Sequence, residues 1–522
     1  MTCSPSATDV FVFRATPGGI AAAVAAARLG RSVVVAEDHA HVGGMATSGL
    51  GKSDVEKRWL IGGIFAEFVA GVRDHYIRTY GPDHENVRLA SDGYFYEPHV
   101  AERVFDALLA AEPRITVLKG QRLDGVEVEA GRVRAATLVD RRTGERRRIE
   151  AGVFIDASYE GDLVAAAGAE FRLGRESREE FGEPHAGVVS YDYQNHRFLP
   201  GSTGAGDGRL PAYTYRLCLS TDPANQAPLA GPPADYDRRA YLGYFDDLAA
   251  GRLAGPKVFK PGRGYYPRHF DTLVRALSVA EIPNRKTDVN INPRPLGFPF
   301  AEENAGYVEG DDAARQRIAA RHRSLVLGLL WFLQHDAEVP EPHRALAREL
   351  HPAADEFTDN DHFPWQLYVR EARRLVGLAT LTEHDVTGHA GQPSRQPDAV
   401  AVGEFPIDSF PCRKRQPTDT LSLEGYLGML EDLTRPYEIP YRIMIPTQVD
   451  GLIVPVAAST THVAFSSIRM EPTWMALGQA AGTAAHLALE AGVPPRAVPI
   501  DRLQRLLEAN GQVLRHSPEN LA

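Results

Sequence analysis

A turn of sequence Arg14-Ala15-Thr16-Pro17-Gly18-Gly19 separates a short apolar run, residues 10–13, from an alanine-rich stretch over 20–29. A strand, a glycine turn and a helix N-terminus together make an anion site. Backbone N–H groups and the positive end of the helix dipole face the same point, as a diphosphate requires. Residues 32–36 form a second, β-branched run, and Glu37 stands at its end, 23 residues after Arg14. An acid at about that separation accepts hydrogen bonds from the ribose hydroxyls of a dinucleotide. The turn departs from the usual pattern. In a GxGxxG frame, Arg14 and Thr16 fill the first and second glycine places. Arg14 must therefore take a strained φ or reshape the loop. Its guanidinium could contact a phosphate or crowd the ligand. An ordinary βαβ turn without a ligand is the alternative reading.

The elements that would position these groups form a βαβ unit. Both apolar runs lack alternation, so each should be covered on both faces, as in a parallel sheet. Gly30 reads as the helix C-cap. A Gly-rich loop follows, His41-Val42-Gly43-Gly44-Met45 and then Ser48-Gly49-Leu50-Gly51. The pattern next predicts a helix over 98–111 and strands over 115–118, 126–128, 133–139 and 151–155. The last strand ends in Asp156-Ala157-Ser158, and 159–170 reads as a helix. From about residue 171 to 310, Pro and Gly are dense and the segments irregular. Helices are then predicted over 313–334 and 364–376, a strand over 449–456 and a loop over 457–471. A long helix opens at Pro472, where the missing N–H costs nothing, and runs to about residue 490.

Composition bounds the function. The 522 residues suffice for two to four domains. With 43% hydrophobic and 24% charged residues, the chain is neither disordered nor fibrous. A net charge of −11 disfavours nucleic acid as a partner. No apolar run approaches the roughly 18 residues that span a bilayer, so no membrane partner is expected. The opening residues carry neither the basic nor the apolar region of a signal peptide. Cys3, Cys218 and Cys412 lie too far apart for a CxxC metal site, an iron–sulfur ligand set or a disulfide framework. No metal is expected, and a reducing cytoplasm is the expected home. Positive charge around Cys412 should lower its pKa. The chain has 7 Lys against 50 Arg, which weakens any argument from a single arginine.

Six stretches carry a resemblance: ATPGGIAAAVAAARLG, HVGGMATSGLG, FIDASYEGDLVAAAG, DEFTDNDHFPWQLYVREARRLVG, IPYRIMIP and THVAFSSIRMEPTWMALGQAAG. In this order the chain resembles the bacterial FAD-dependent oxidoreductase family, of the glutathione-reductase-like two-domain class, some members of which are labelled xanthan-lyase-like. The resemblance implies an α/β fold: a Rossmann-like FAD-binding domain built from both chain ends, residues 1–170 and 400–522, with an inserted α+β substrate or cap domain over 171–399. It implies FAD as cofactor. Ala15, Pro17, Gly18, Gly19 and the helix that follows would hold the diphosphate, and Glu37 the adenosine ribose. Gly43, Gly44 and Met45 would pass close to the pyrophosphate and flavin, and Asp156 with Ala157 would form a second nucleotide-contact turn. The Pro472 helix, with Met475 and Gln479, would aim its N-terminus at the flavin and stabilise charge developing on its N1–C2=O side.

The expected function is hydride transfer from a small organic substrate to flavin N5, with O2 or another diffusible acceptor taking the electrons onward. His462, in the loop before the Pro472 helix, could remove the substrate proton; a hydrogen-bonded loop histidine is the alternative. Arg370 and Arg374 would share one helix face, where they could grip a substrate carboxylate or pair structurally. Arg442 is a similar, weaker candidate. Arg469 and Glu471 read as an ion pair. HFPWQLY reads as core aromatics, with a role lining the substrate pocket as the lesser alternative. His39, His41 and His462 are conceivable covalent flavin anchors. Two other classes stay open, a nicotinamide-dependent dehydrogenase and a degenerate, non-catalytic flavin binder; a polysaccharide lyase, which needs no FAD, carries little weight.

Overall fold

Val10, Phe11 and Val12 have no exposed surface, as expected for a strand covered on both faces. They belong to β1 (Ser6–Phe13), which leads through the turn into α1 (Pro17–Arg28) and back into β2 (Val33–Ala36). The structure, a computed structural model, describes residues 6–192, 195–251, 253, 277–291, 298–388, 394–419 and 421–516. Cys3 lies outside the described residues. Gly30 follows the α1 C-cap at φ 88° and ends the helix.

The chain continues through α2 (Gly63–Tyr80) and α3 (Pro98–Ala110) to β3 (Ile115–Leu118), β4 (Gln121–Glu129), β5 (Arg132–Asp140) and β6 (Arg146–Asp156). These strands form one sheet in the order β3-β2-β1-β6-β5-β4. β3, β2, β1 and β6 run parallel, while β4 and β5 form an antiparallel meander on β6. Strand order thus reverses at β1, and the crevice outside the carboxyl ends of β1 and β6 is a topological switch point, the place where such sheets bind ligands. The register aligns those ends: Phe13 faces Ala36 on one side and Asp156 on the other.

After β6, a short α4 (Asp162–Ala166) replaces the longer helix predicted over 159–170. Gly161 at φ 66° delays its start and Gly168 at φ 69° closes it. The middle of the chain builds a separate antiparallel sheet from β7 (Leu217–Ser220), β8 (Leu277–Ile282), β9 (Lys286–Ile291) and β10 (His351–Pro352). It also contains α5 (Asp312–His335), capped by the Asp311 carboxylate on Ala314 N. Near the C-terminus, β11 (Leu452–Ile453) joins the first sheet in parallel beside β6. It is followed by α6 (His462–Ile468) and α7 (Glu471–Ala491). Both ends of the chain therefore contribute strands to one Rossmann-like α/β layer.

Two predicted elements are corrected. The loop over 457–471 contains α6, started by Thr461, whose hydroxyl accepts from Ala464 N. The helix over 364–376 is extended chain instead. Tyr368 N donates to Thr214 O at 2.8 Å, and Arg374 and Leu375 pair with Arg172 and Phe171. Arg373 donates to the carbonyls of Glu160 and Val308 and to the Asp162 carboxylate, and Arg374 to the carbonyl of Thr460 and to the Glu176 carboxylate. Pairing with distant segments here overrides a local helical pattern.

Close packing of α1 on α7 fixes the sheet's cover. A Cβ on Gly478 would stand 1.9 Å from Gly18 O, and one on Gly482 2.1 Å from Ala22 O. Only glycine permits backbones to meet at that distance.

Candidate functional site

At the crevice, Thr16 caps α1. Its hydroxyl accepts from Gly19 N at 3.2 Å and donates to Ala157 O at 2.8 Å, tying the ends of β1 and β6 together. Ala157 N in turn donates to Phe13 O. Pro17, Gly18 and Gly19 form the buried first turn of α1; Pro17 has no N–H and Gly19 N–H is taken by Thr16, which leaves the Gly18 N–H without an acceptor among the described residues. A Cβ on Gly19 would collide with Arg14 O at 2.1 Å. Arg14 adopts φ 76°, one of the two outcomes its place in the turn allowed. Its guanidinium is 3.3 Å from Glu37 and 3.2 Å from Asp38, and it donates to Gln366 Oε1. Glu37 also accepts from Ala15 N at 2.8 Å and His39 N at 3.0 Å. Burial raises the Glu37 pKa, and Arg14 opposes that rise.

A cavity of about 550 Å³ opens beside these groups, bordered by Phe13, Arg14, Asp38, His39, Trp365 and Gln366. His39 and His41 both pack against Trp365, so this aromatic of the HFPWQLY run lines a cavity, while Phe363 is core. Burial holds His39 neutral, with its pKa down to about 3, whereas hydrogen bonds to Glu102 lift His41 to about 9.

Gly43 and Gly44 both have positive φ, and Met45 N donates to Tyr159 Oη at 3.0 Å. Tyr159 Oη donates onward to Glu471 Oε1 at 2.6 Å, in the first turn of α7. Burial pushes Glu471 up to about 8. Its Oε2 and the indole N–H of Trp474 are buried without hydrogen-bond partners. Met475 is buried in the same helix.

Several expected site residues are otherwise engaged. Gln479 Oε1 accepts from Ile64 N at 2.8 Å, holding the first turn of α2. Asp156 spends both oxygens on Ser158 and Val164 N, which makes it the organiser of the turn into α4. Arg442 is half exposed and paired with Asp398. Arg469 does not pair with Glu471; it reaches Tyr368 Oη at 2.9 Å and Asp408 at 3.7 Å. Cys412 is fully buried, and burial outweighs Arg175, so its pKa rises instead of falling.

His462 is buried at the start of α6. Its Nδ1 lies 2.8 Å from Glu371 Oε2, and its backbone N–H donates to Glu176 Oε2 at 2.8 Å. Arg374 stands between the two carboxylates, 2.7 Å from Glu176 and 3.0 Å from Glu371. Nε2 of His462 has no hydrogen-bond partner among the described residues. Arg370 is not joined to this group. Its guanidinium packs instead on the rings of Tyr368 and Phe410. Sequence reasoning gave no individual role to Tyr159 or Tyr368, whose hydrogen-bond partners Met45, Glu471 and Arg469 stand more than a hundred residues away, and missed α2, although Ile64, Phe65, Phe68, Val69, Val72 and Tyr76 repeat at helical spacing.

A glycine-turn crevice at the switch point of a parallel sheet, with an acid ending the second strand, defines a dinucleotide-binding α/β protein. The chain belongs to the FAD-dependent oxidoreductase family, whose model, described as FAD dependent oxidoreductase, matches residues 9–507. No curated protein matches the chain. Among solved structures, it is similar to the myxobacterial chondrochloren halogenase CndH, an FAD-dependent halogenase, at 13% identity, covering 97% of this chain and 79% of that one with a TM-score of 0.37. It is also similar to a geranylgeranyl bacteriochlorophyll reductase-like protein from Thermoplasma acidophilum, at 11% identity, 98% and 85% coverage and a TM-score of 0.35. The likeness to Mycobacterium smegmatis Sdh1 has 16% identity and a TM-score of 0.24; it covers 34% of this chain and spans less than half, 42%, of that one.

The cofactor of this family is FAD, and the residues present fit it. The Gly18 N–H and the positive end of the α1 dipole suit a diphosphate. Glu37 is the acid for a ribose. Two buried polar atoms, Glu471 Oε2 and Trp474 Nε1, have no hydrogen-bond partner among the described residues, which leaves unmet hydrogen-bonding capacity in the first turn of α7. One group stands against this fit, the Arg14 guanidinium on Glu37.

Proposed function

We propose that the chain oxidises a small organic substrate, with His462 accepting the proton that leaves as the substrate's hydride is taken. The observation that carries this reading is the His462–Glu371 contact with Nε2 unpartnered. A carboxylate accepts from an imidazole N–H, so contact with Glu371 favours the tautomer with its proton on Nδ1 and turns the Nε2 lone pair to a substrate. Arg374 holds Glu371 and Glu176 in place, and Glu176 anchors the His462 backbone. FAD, when bound, would supply the hydride acceptor at N5, with O2 or another diffusible compound as the final electron acceptor.

In this reading Ala15, Pro17, Gly18 and Gly19 present the diphosphate site and Glu37 the ribose site. Gly43–Met45 and the first turn of α7, with Met475 behind it, border the flavin. Residues 1–170 and 400–522 form the cofactor domain, and 171–399 form the cap over the substrate, as in the glutathione-reductase-like two-domain class. Weak cofactor holding is a second reading, favoured by one contact only, the Arg14 pair with Glu37.

The test is anaerobic flavin bleaching by a panel of simple alcohols, amines and hydroxy acids, repeated with His462→Asn. The variant should keep its flavin and bleach about 10²–10⁴-fold more slowly. Equal rates, or no bleaching by any compound, contradict the proposal.

A further inference from the structure

Three guanidinium groups surround the Tyr368 ring: Arg370 at 4.3 Å, Arg469 at 5.9 Å and Arg216 at 6.0 Å from its centroid. Two of them have carboxylates. Arg216 holds Asp288 side-on, Nε to Oδ1 at 3.0 Å and Nη2 to Oδ2 at 2.7 Å. Arg469 lies 3.7 Å from Asp408. Arg370 has none among the described residues. It is 1% exposed, sandwiched between Tyr368 and the Phe410 ring at 3.5 Å. One donor, Nη1, reaches Ala212 O at 2.7 Å, while Nε and Nη2 have no hydrogen-bond partner among the described residues.

Those two nitrogens are the edge by which this protein binds its own carboxylates. Arg216 uses it on Asp288, and Arg175 uses it on Asp207, at 2.9 and 2.6 Å. Nε and Nη2 together match the two oxygens of one carboxylate. A buried guanidinium without a counterion is costly, and two ring faces and one carbonyl do not replace a carboxylate. Burial, followed by the like charges of Arg469 and Arg216, brings Arg370 below the usual guanidinium range to about 9, so it stays charged at neutral pH.

The place suits a substrate. Arg469 is the C-cap of α6 and stands two residues before Glu471, the start of α7. Arg216 also approaches Asp54 at 3.9 Å, whose charge in turn acts on Glu471. The arginine cluster therefore adjoins the helix end assigned to the flavin.

We propose that the Nε–Nη2 edge of Arg370, stacked between Phe410 and Tyr368, seats the carboxylate of the substrate, so that the enzyme acts on an organic acid. The substrate assignment rests on the oxidoreductase reading above; the carboxylate seat itself does not.

The test uses the full chain and benzoate as probe, with benzamide as its neutral counterpart, read by thermal shift with and without FAD. Benzoate should stabilise the protein saturably and benzamide should not. Arg370→Met should weaken benzoate about 10–100-fold, the range expected for lost charged hydrogen bonds. Arg370→Lys, which keeps the charge without the paired edge, should fall between and serves if the Met variant does not fold. Undiminished benzoate binding in both variants, no benzoate effect on the native chain, or equal binding of benzamide would overturn the seat. Should FAD fail to load, the oxidoreductase reading fails while the benzoate shift still reports on Arg370. Should a neutral alcohol or amine bleach the flavin without competition from benzoate, the acid substrate is refuted and the oxidoreductase reading stands.

Discussion

Replacing Arg14 by glycine separates two roles that the same guanidinium could play. In the native chain Arg14 sits at φ 76° and lies 3.3 Å from Glu37, with both groups buried. Removing one partner of a buried ion pair costs about 3–5 kcal/mol, because the other charge is left uncompensated. Relieving a left-handed conformation returns about 1–2 kcal/mol. The FAD-free Arg14→Gly protein should therefore lose about 1–4 kcal/mol of stability in urea denaturation. Glu37 would then be free to accept from ribose hydroxyls. Hydrogen bonds to a charged group contribute about 1.5–3 kcal/mol, which corresponds to FAD binding about 10–150-fold tighter. Titration of FAD fluorescence against native and variant protein reads this directly. Weaker FAD binding by the variant would refute the reasoning and make Arg14 a phosphate ligand instead of a competitor for Glu37.

Two further perturbations follow from the α7 contacts. The pKa of Glu471, pushed up by burial to about 8, lies above the value near 4.3 of an unfolded glutamate. Between those values the folded state holds the extra proton, so this group's contribution to stability declines from about pH 4 to about pH 8 and is level above. Glu471→Gln should flatten that decline in the FAD-free protein, by at most about 5 kcal/mol; urea midpoints across the pH series check it, and an unchanged slope contradicts it. Gly478→Ala forces a Cβ to 1.9 Å from Gly18 O, and should cost at least about 1–3 kcal/mol while weakening FAD binding, since Gly18 is displaced with it. Full stability and unchanged FAD affinity would rule out the tight α1–α7 contact.

The parts of the fold read correctly from sequence were those whose signal is local. The strand over 10–13, the alanine-rich helix and the strand ending at Glu37 all formed, and so did the long helix opening at Pro472, because burial and helix propensity pointed the same way. The strain at Arg14 was legible too, since the first place of such a turn needs positive φ whatever residue fills it. The stretch over 364–376 was not. Its spacing looked helical, yet its backbone pairs with Thr214 and with residues 171–172, far away in sequence. The environment of Cys412 failed for the same reason: neighbours in sequence are charged, but neighbours in space bury it. Gln479 and Asp156 were placed in the right elements, and only their hydrogen-bond partners revealed that their side chains already hold α2 and α4. Arg370 presented the reverse case. Fifty arginines made it look ordinary, and its missing carboxylate is visible only in three dimensions.

The most direct test of the account is a crystal structure of the full chain loaded with FAD. The diphosphate should lie over Gly18 and Gly19, the flavin ring against the first turn of α7, and His462 Nε2 should face that ring from α6. A flavin ring bound away from α7, or one from which His462 is walled off, would contradict it.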